Sequence, residues 1–303
     1  MLRSYLQSHA NDEVGNAAEA ASANDFGVAM GRGDVERLRS DVARGSPMEE
    51  ALSLCVRHTD WKEAKLSGFV PALATELAAL VRSSVGASFL ATRTSTARFI
   101  VAFAAAAPKS AVKTAGVTLI RALLDGVKHE KQSALVRRGF VEAAGSLAKH
   151  GAKSGSVQKF VNGIIEMHRN ALAGTKGNRG GAASNEEAAR DAAIAGDALA
   201  TLTKAAPRPM VRYTATLAPL AWIGKEAAAA VAAKARLDDA SAVATRAANE
   251  HAEADGWSRL WALLTEGKSS ASLLRSVAPT LIDEATTILT SSSWTARAIG
   301  TAA

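Results

Sequence analysis

The stretch from Val70 to Ser83, VPALATELAALVRS, decides the fold because a related pattern returns from Lys113 to Gly126 as KTAGVTLIRALLDG, about 43 residues later. The paired core positions are Leu73 with Gly116, Leu77 with Ile120, Leu80 with Leu123, and Val81 with Leu124. A third copy begins near Gln158, where Val161, Ile164 and Ile165 continue the same apolar face. Periods of about 40 to 47 residues are typical of HEAT and armadillo repeats, in which stacked helix pairs bury each other's apolar faces.

This periodicity predicts an all-α fold, an α-solenoid of HEAT/armadillo-like helix pairs, since no segment alternates at the two-residue period of a strand. We expect helices at about 47–59, 66–84, 92–107, 110–127, 131–149, 154–172, 185–205, 210–224, 226–252 and 270–290, with a short apolar segment at 257–264. Residues 1–46 are expected to be an irregular or degenerate N-terminal segment. Residues 47–303 should hold about five helix pairs, with the last pair truncated at 294–303 and a flexible Gly-rich loop at 174–181.

The composition favours a water-soluble protein of the cytosol and nucleus. The residues are 48% hydrophobic but only 5% aromatic, and the longest apolar run, 99–107, is far shorter than the roughly 20 residues that a membrane helix needs. The first residues lack the apolar core of a secretory signal. One cysteine permits no internal disulfide, which is typical of a reducing compartment.

The positive charge is concentrated in the middle of the chain. The net charge of the whole chain is +7, whereas residues 98–179 contain fourteen Lys and Arg against four acidic residues. Within this part, Arg121, Lys128, Arg137 and Arg138 are candidates for a basic patch that binds an acidic protein partner. A solvated face without a partner is an alternative. Nucleic acid is disfavoured because the basic residues are not interleaved with aromatic ones.

Catalytic and metal sites find little support in the sequence. Cys55 lies three residues before His58, but no group to orient the histidine accompanies them. His251 and Glu253 lack the spacing and the third ligand of a zinc site. The Gly-rich loop at 174–181 lacks the residue order of a phosphate-binding loop. We therefore expect no enzymatic activity, no cofactor, no metal and no small-molecule substrate.

Several segments, in their order along the chain, resemble the C-terminal part of the large proteasome-associated HEAT-repeat adaptor, the extracellular-mutant (Ecm) type scaffold. The segments are PMEEALSLCVRHTD at 47–60, residues 66–86 ending in LVRSSVG, TRTSTARFIVAFAAAA at 92–107, ALLDGVKHEKQSALVRRGFVEAAGSLAKH at 122–150, TLAPLAWIGKEA at 216–227, WSRLW at 257–261 and ILTSSSWTARAIGTAA at 288–303. The resemblance extends over about residues 47–303, while residues 1–46 and the Gly-rich loop depart from it.

The resemblance implies an α-solenoid that binds the 26S proteasome and tethers its regulatory particle to its core particle. It also implies a part in assembly quality control or in bringing proteasomes to other compartments, with no catalytic residues. Two other classes share part of the evidence. A generic HEAT-repeat adaptor for transport or phosphatases would have the same period, and a nucleic-acid-binding repeat protein would need a single basic face.

Overall fold

A computed structural model of the chain describes residues 68–82, 89–130, 133–173, 182–237, 256–266 and 270–289. The helices are α1 Phe69–Arg82, α2 Phe89–Ala106, α3 Lys109–His129, α4 Ala134–His150, α5 Ser154–Ala173, α6 Ala182–Ala205, α7 Pro207–Met210, α8 Thr214–Leu237, α9 at 256–265 and α10 Ser270–Leu289, with a 3-10 turn at Val211–Tyr213. None of these described residues forms a strand, and the predicted all-α fold of HEAT-type helix pairs is confirmed.

Some expectations concern parts of the chain that the structure does not describe. These are the segment 1–46, the helix at 47–59 with Cys55 and His58, the Gly-rich loop at 174–181, the residues 238–252 with His251, and the shortened helix at 294–303. They stay predictions.

The chain divides into two compact units, Met1–Val157 and Gln158–Ala303. In the first unit, α1 packs on α3 and α2 packs on α4, while α3 also packs on α4. First helices thus stack on first helices and second helices on second helices, as in HEAT repeats. Arg82 of α1 donates to Asp125 of α3 at 3.0 Å. Ser146 of α4 donates to the Val101 carbonyl of α2 at 3.4 Å.

Burial fixes the register of the repeat, and it differs from the sequence alignment by one residue. The buried positions of α1 are Val70, Ala74, Leu77, Ala78, Leu80 and Val81, and the positions 42 residues later, Val112, Gly116, Leu119, Ile120, Ala122 and Leu123, are all buried too. At 43 residues, the buried Ala78 is paired with Arg121, which is exposed. The predicted pairing was therefore wrong in register, because one residue turns a helix by 100°.

The same comparison gives a longer repeat for the second helices. The buried residues Thr96, Ala97, Phe99, Ile100, Phe103 and Ala104 of α2 have buried counterparts in α4 at Phe140, Val141, Ala143, Ala144, Leu147 and Ala148. These counterparts lie 44 residues later. The period of about 43 is thus intermediate between the two helix layers, 42 in the first and 44 in the second.

A glycine lets three helices of the first unit approach one another. A Cβ atom at Gly126 in α3 would lie 2.8 Å from the ring of Phe140 in α4 and 3.1 Å from Cγ1 of Val81 in α1. Since real Cβ atoms are not found at the shorter distance, no larger residue fits at this position without movement of its neighbours.

The second unit confirms the third copy of the apolar face, since Val161, Ile164 and Ile165 of α5 are all buried. It corrects another prediction, because α8 runs without a break from Thr214 to Leu237 where we expected one helix to end at 224 and another to begin at 226. Gly224 lies where the first of these helices was expected to end. A helical glycine costs only about 1 kcal/mol, and the alanine-rich residues around it keep the helix intact.

Candidate partner-binding surface

Two of the four basic residues predicted to form a patch, Arg121 and Lys128, lie on α3. They are seven residues apart, which is close to two turns, and so project from nearly the same side of the helix. Arg121 is exposed, and Lys128 in the last turn is half-buried. The opposite side of α3 is buried against α1 and α4.

The turn between α3 and α4 brings Lys128 and Arg138 to the same end of the helix pair. Glu130, only 5% exposed, holds this turn: its Oε1 accepts from Ser133 N at 3.0 Å, and its Oε2 is paired with Arg93 of α2. The Ser133 hydroxyl in turn caps α4. Arg138, in the second turn of α4, is half-buried beside this network.

Arg137 does not belong to the surface, although we expected it there. It is only 6% exposed, and its Nη1 donates to the Glu130 carbonyl at 3.0 Å. Its position lies three residues before Phe140 and four before Val141, which places it on the buried side of α4. The carbonyl groups at a helix end need donors from outside the helix, and Arg137 supplies one at the end of α3.

The sequence reasoning missed two neighbours of Arg121 on the exposed side of α3. Lys113 is exposed, and Val117, between it and Arg121 at steps of four residues, is 45% exposed. We call Lys113, Val117, Arg121 and Lys128 the α3 face. The four-residue spacing that reveals this face is present in the sequence, but the predicted patch consisted of basic residues alone and did not include Lys113 or Val117.

The α3 face is electrostatically positive. Its three cations project from nearly the same side of one helix, and the one carboxylate of α3, Asp125, is paired with Arg82 of α1. An exposed ion pair of this kind contributes at most about 1 kcal/mol to stability, but it does neutralise the carboxylate locally. The face can therefore attract an acidic surface, with Val117 available for an apolar contact.

The second unit contains a buried histidine without hydrogen-bond partners. His168 of α5 is fully enclosed, and neither ring nitrogen has a partner within the described part of the chain. Burial, and to a lesser degree the charge of Arg169, lowers the pKa of His168 from 6.5 to about 4. Its ring lies 4.6 Å from the ring of Trp257, centre to centre.

Trp257 of α9 is buried against α5, α6 and α8. Its Nε1 donates to the Ala192 carbonyl at 3.1 Å, and its ring lies so close to α6 and α8 that only glycine fits at Gly196 and Gly224. Beside it, Arg259 is paired with Asp197. These contacts organise the core of the unit and leave His168 no polar neighbour to bond.

Two absences hold for the residues that the structure describes. No three His, Cys, Asp or Glu residues among them are grouped so that they could hold a metal ion. None of their helices combines the length and the hydropathy that crossing a bilayer requires.

Comparison with known families gives one match. The family model of the HEAT-repeat domain of the proteasome adapter and scaffold protein ECM29 matches residues 5–168, just over half of the chain. The match begins inside the segment 1–46, which we had expected to depart from the pattern, and it ends at residue 168 rather than at 303. No curated protein matches the chain. No solved structure matches it either.

Proposed function

Because the chain belongs to the HEAT-repeat family of the proteasome adapter and scaffold protein ECM29, we propose that it is a non-catalytic scaffold that binds the 26S proteasome. The observation that carries this proposal is the family match, which includes all of α1 to α4. In this role the chain tethers the regulatory particle to the core particle, and it supports assembly quality control or localisation of proteasomes in the cytoplasm and nucleus.

The stacking of the helices supports a binding role. α1 and α3 bury their apolar sides against neighbouring helices. The residues on their opposite sides are therefore not needed for this packing. Repeat proteins use such extended surfaces to bind partners. On α3 this surface combines three cations with one exposed valine. The exposed side of α1 instead combines small residues such as Ala72, Thr75 and Ala79 with Phe69, Glu76 and Arg82.

We propose that the α3 face contacts an acidic surface of a proteasome subunit. Lys113 and Arg121 set the rate of encounter and its dependence on salt, because exposed charges steer association over distances of about one Debye length. Val117 prolongs the contact by burying its side chain. Arg137 has no part in this contact, since it is enclosed beside Glu130.

The function is tested by affinity purification of the tagged chain from a native lysate, followed by quantitative mass spectrometry. Enrichment of regulatory-particle and core-particle subunits together supports the proposal. Enrichment of transport factors or phosphatase subunits without proteasome subunits would contradict it, as would enrichment of ribonucleoproteins alone. Tethering is measured separately on native gels, where added chain should keep purified 26S proteasomes assembled at salt concentrations that otherwise separate the two particles.

The α3 face is tested with Lys113→Glu/Arg121→Glu against a matched control, Arg190→Glu/Arg275→Glu, which makes the same charge change at exposed positions of α6 and α10. Proteasome recovery at low salt should fall at least tenfold with the first variant and change little with the second. Both variants should melt like the parent, since surface substitutions usually cost within about 0.5 kcal/mol. Equal recovery with the two variants would show that the α3 face is only a solvated surface.

A further inference from the structure

A rigid, positively charged corner joins α6 to α8 in the second unit. α6 ends at Ala205, and Pro207 begins the short helix α7 that leads through the 3-10 turn into α8. Met210 and Tyr213 are buried and fix the corner to the core, and Met210 N donates to the Ala206 carbonyl at 3.1 Å. Because proline and buried anchors restrict the backbone, the exposed residues here are held in place without a partner.

These exposed residues combine charge with an apolar side chain. Lys204, Arg208 and Arg212 follow one another at steps of four residues, and all three are exposed. Val211 lies between the two arginines and is 66% exposed, more than any other large apolar residue of the described chain. We call Lys204, Arg208, Val211 and Arg212 the α6–α8 corner.

The charge of the corner is not balanced by its neighbours. No Asp or Glu occurs between Asp197 and Glu226, a stretch that holds all of the corner. Elsewhere in the same unit Arg169 is paired with Glu284 and Arg259 with Asp197. The three cations of the corner, in contrast, form no ion pair with any residue that the structure describes.

We propose that the α6–α8 corner binds an acidic segment of a partner protein that carries a large apolar side chain. The cations pair with the acidic residues of the segment, and Val211 packs against its apolar side chain. Single-stranded nucleic acid fits less well, because its bases stack on exposed aromatic side chains. The aromatic residue that follows the corner, Tyr213, is buried.

This inference does not depend on the proposed proteasome contact. It concerns a different unit, other residues and a contact that can be measured with a simple peptide. A chain that binds no proteasomes could still bind the peptide, and the reverse holds as well.

The test is a fluorescence anisotropy titration of the full chain with a labelled peptide of about a dozen residues, glutamates around one Leu-Phe pair. Arg208→Gln/Arg212→Gln should weaken binding at least tenfold at low salt, and Val211→Ser about fivefold, since it removes much of one buried aliphatic contact. The control Lys159→Gln/Arg275→Gln removes the same charge from exposed positions of α5 and α10 and should change binding less than twofold. Circular dichroism checks that all variants fold.

Three results would overturn the proposal. The first is no saturable binding of the peptide by the parent chain. The second is an equal loss in the control, which would show a general effect of net charge. The third is unchanged peptide binding by Val211→Ser together with tighter binding of a single-stranded RNA of about twenty nucleotides, which would assign the corner to nucleic acid.

Discussion

Mild acid should destabilise the second unit through His168. The folded protein holds this histidine as a neutral ring with a pKa of about 4, against 6.5 for an exposed histidine. Below pH 6.5 the unfolded chain therefore binds a proton that the folded chain excludes, and stability falls as the pH falls. The contribution of His168 is complete above pH 6.5 and is lost progressively as the pH falls toward 4.

The size of the effect follows from the two pKa values. Each unit of difference corresponds to 1.36 kcal/mol, so the full loss is about 3 kcal/mol, and about 2 kcal/mol of it is reached at pH 5. This is a large part of the roughly 5 to 15 kcal/mol by which a typical domain is stable.

Replacing the histidine by an apolar ring isolates its contribution. His168→Phe keeps a ring against Trp257 and removes the two unsatisfied nitrogen atoms. Relative to the parent, this variant should gain about 2 kcal/mol between pH 7.5 and pH 5, because it has no proton to exclude. The measurement is urea unfolding followed by tryptophan fluorescence at both pH values.

The matched control is His150→Phe, which removes a half-buried histidine of the first unit. The comparison separates the effect of His168 from the general effect of replacing a histidine by phenylalanine. His168→Leu serves as a second variant in case the phenylalanine ring does not fit. If both His168 variants lose as much stability between pH 7.5 and pH 5 as the parent does, the assignment of the acid sensitivity to His168 is wrong.

Two predictions concern packing and the α3–α4 turn. Gly224→Ala would place a Cβ atom 2.5 Å from the ring of Trp257 and should lower the free energy of unfolding, measured by urea titration, by about 1 to 3 kcal/mol. The control Gly155→Ala has open space around it and should not destabilise the protein. Glu130→Gln weakens the buried ion pair with Arg93 and should lower the free energy of unfolding by about 3 kcal/mol. The control Arg121→Gln, at an exposed position, should change it by less than about 0.5 kcal/mol. A cost below 1 kcal/mol for Glu130→Gln would show that the pair is not needed to hold the turn.

Much of the fold could be predicted from the sequence because helix pairs follow from local signals. Pro108 separates α2 from α3, and the apolar residues around Phe140 repeat at helical spacing. Register could not be predicted as well, since the adjacent apolar residues Leu119–Ile120 and Leu123–Leu124 of α3 fit either of two neighbouring registers. Only burial shows that Leu119 rather than Ile120 corresponds to Leu77.

The candidate surface was predicted only in part, because charge in a sequence does not show which way a side chain points. Arg137 and Arg138 are adjacent and identical in type, yet the first bonds to a carbonyl in the core and the second is half-exposed. Likewise, Val117 is apolar and would be expected in the core, but its side chain is 45% exposed. The orientation of Arg137 depends on the Glu130 carbonyl, which the α3–α4 turn brings within hydrogen-bond distance.

The central claim is that this chain is a proteasome-binding scaffold, and equilibrium binding of the purified full chain to purified 26S proteasomes tests it most directly. Biolayer interferometry over a range of salt concentrations measures both the affinity and its electrostatic component. The account predicts saturable binding that weakens as salt increases. The absence of saturable binding, even at low salt, would contradict it.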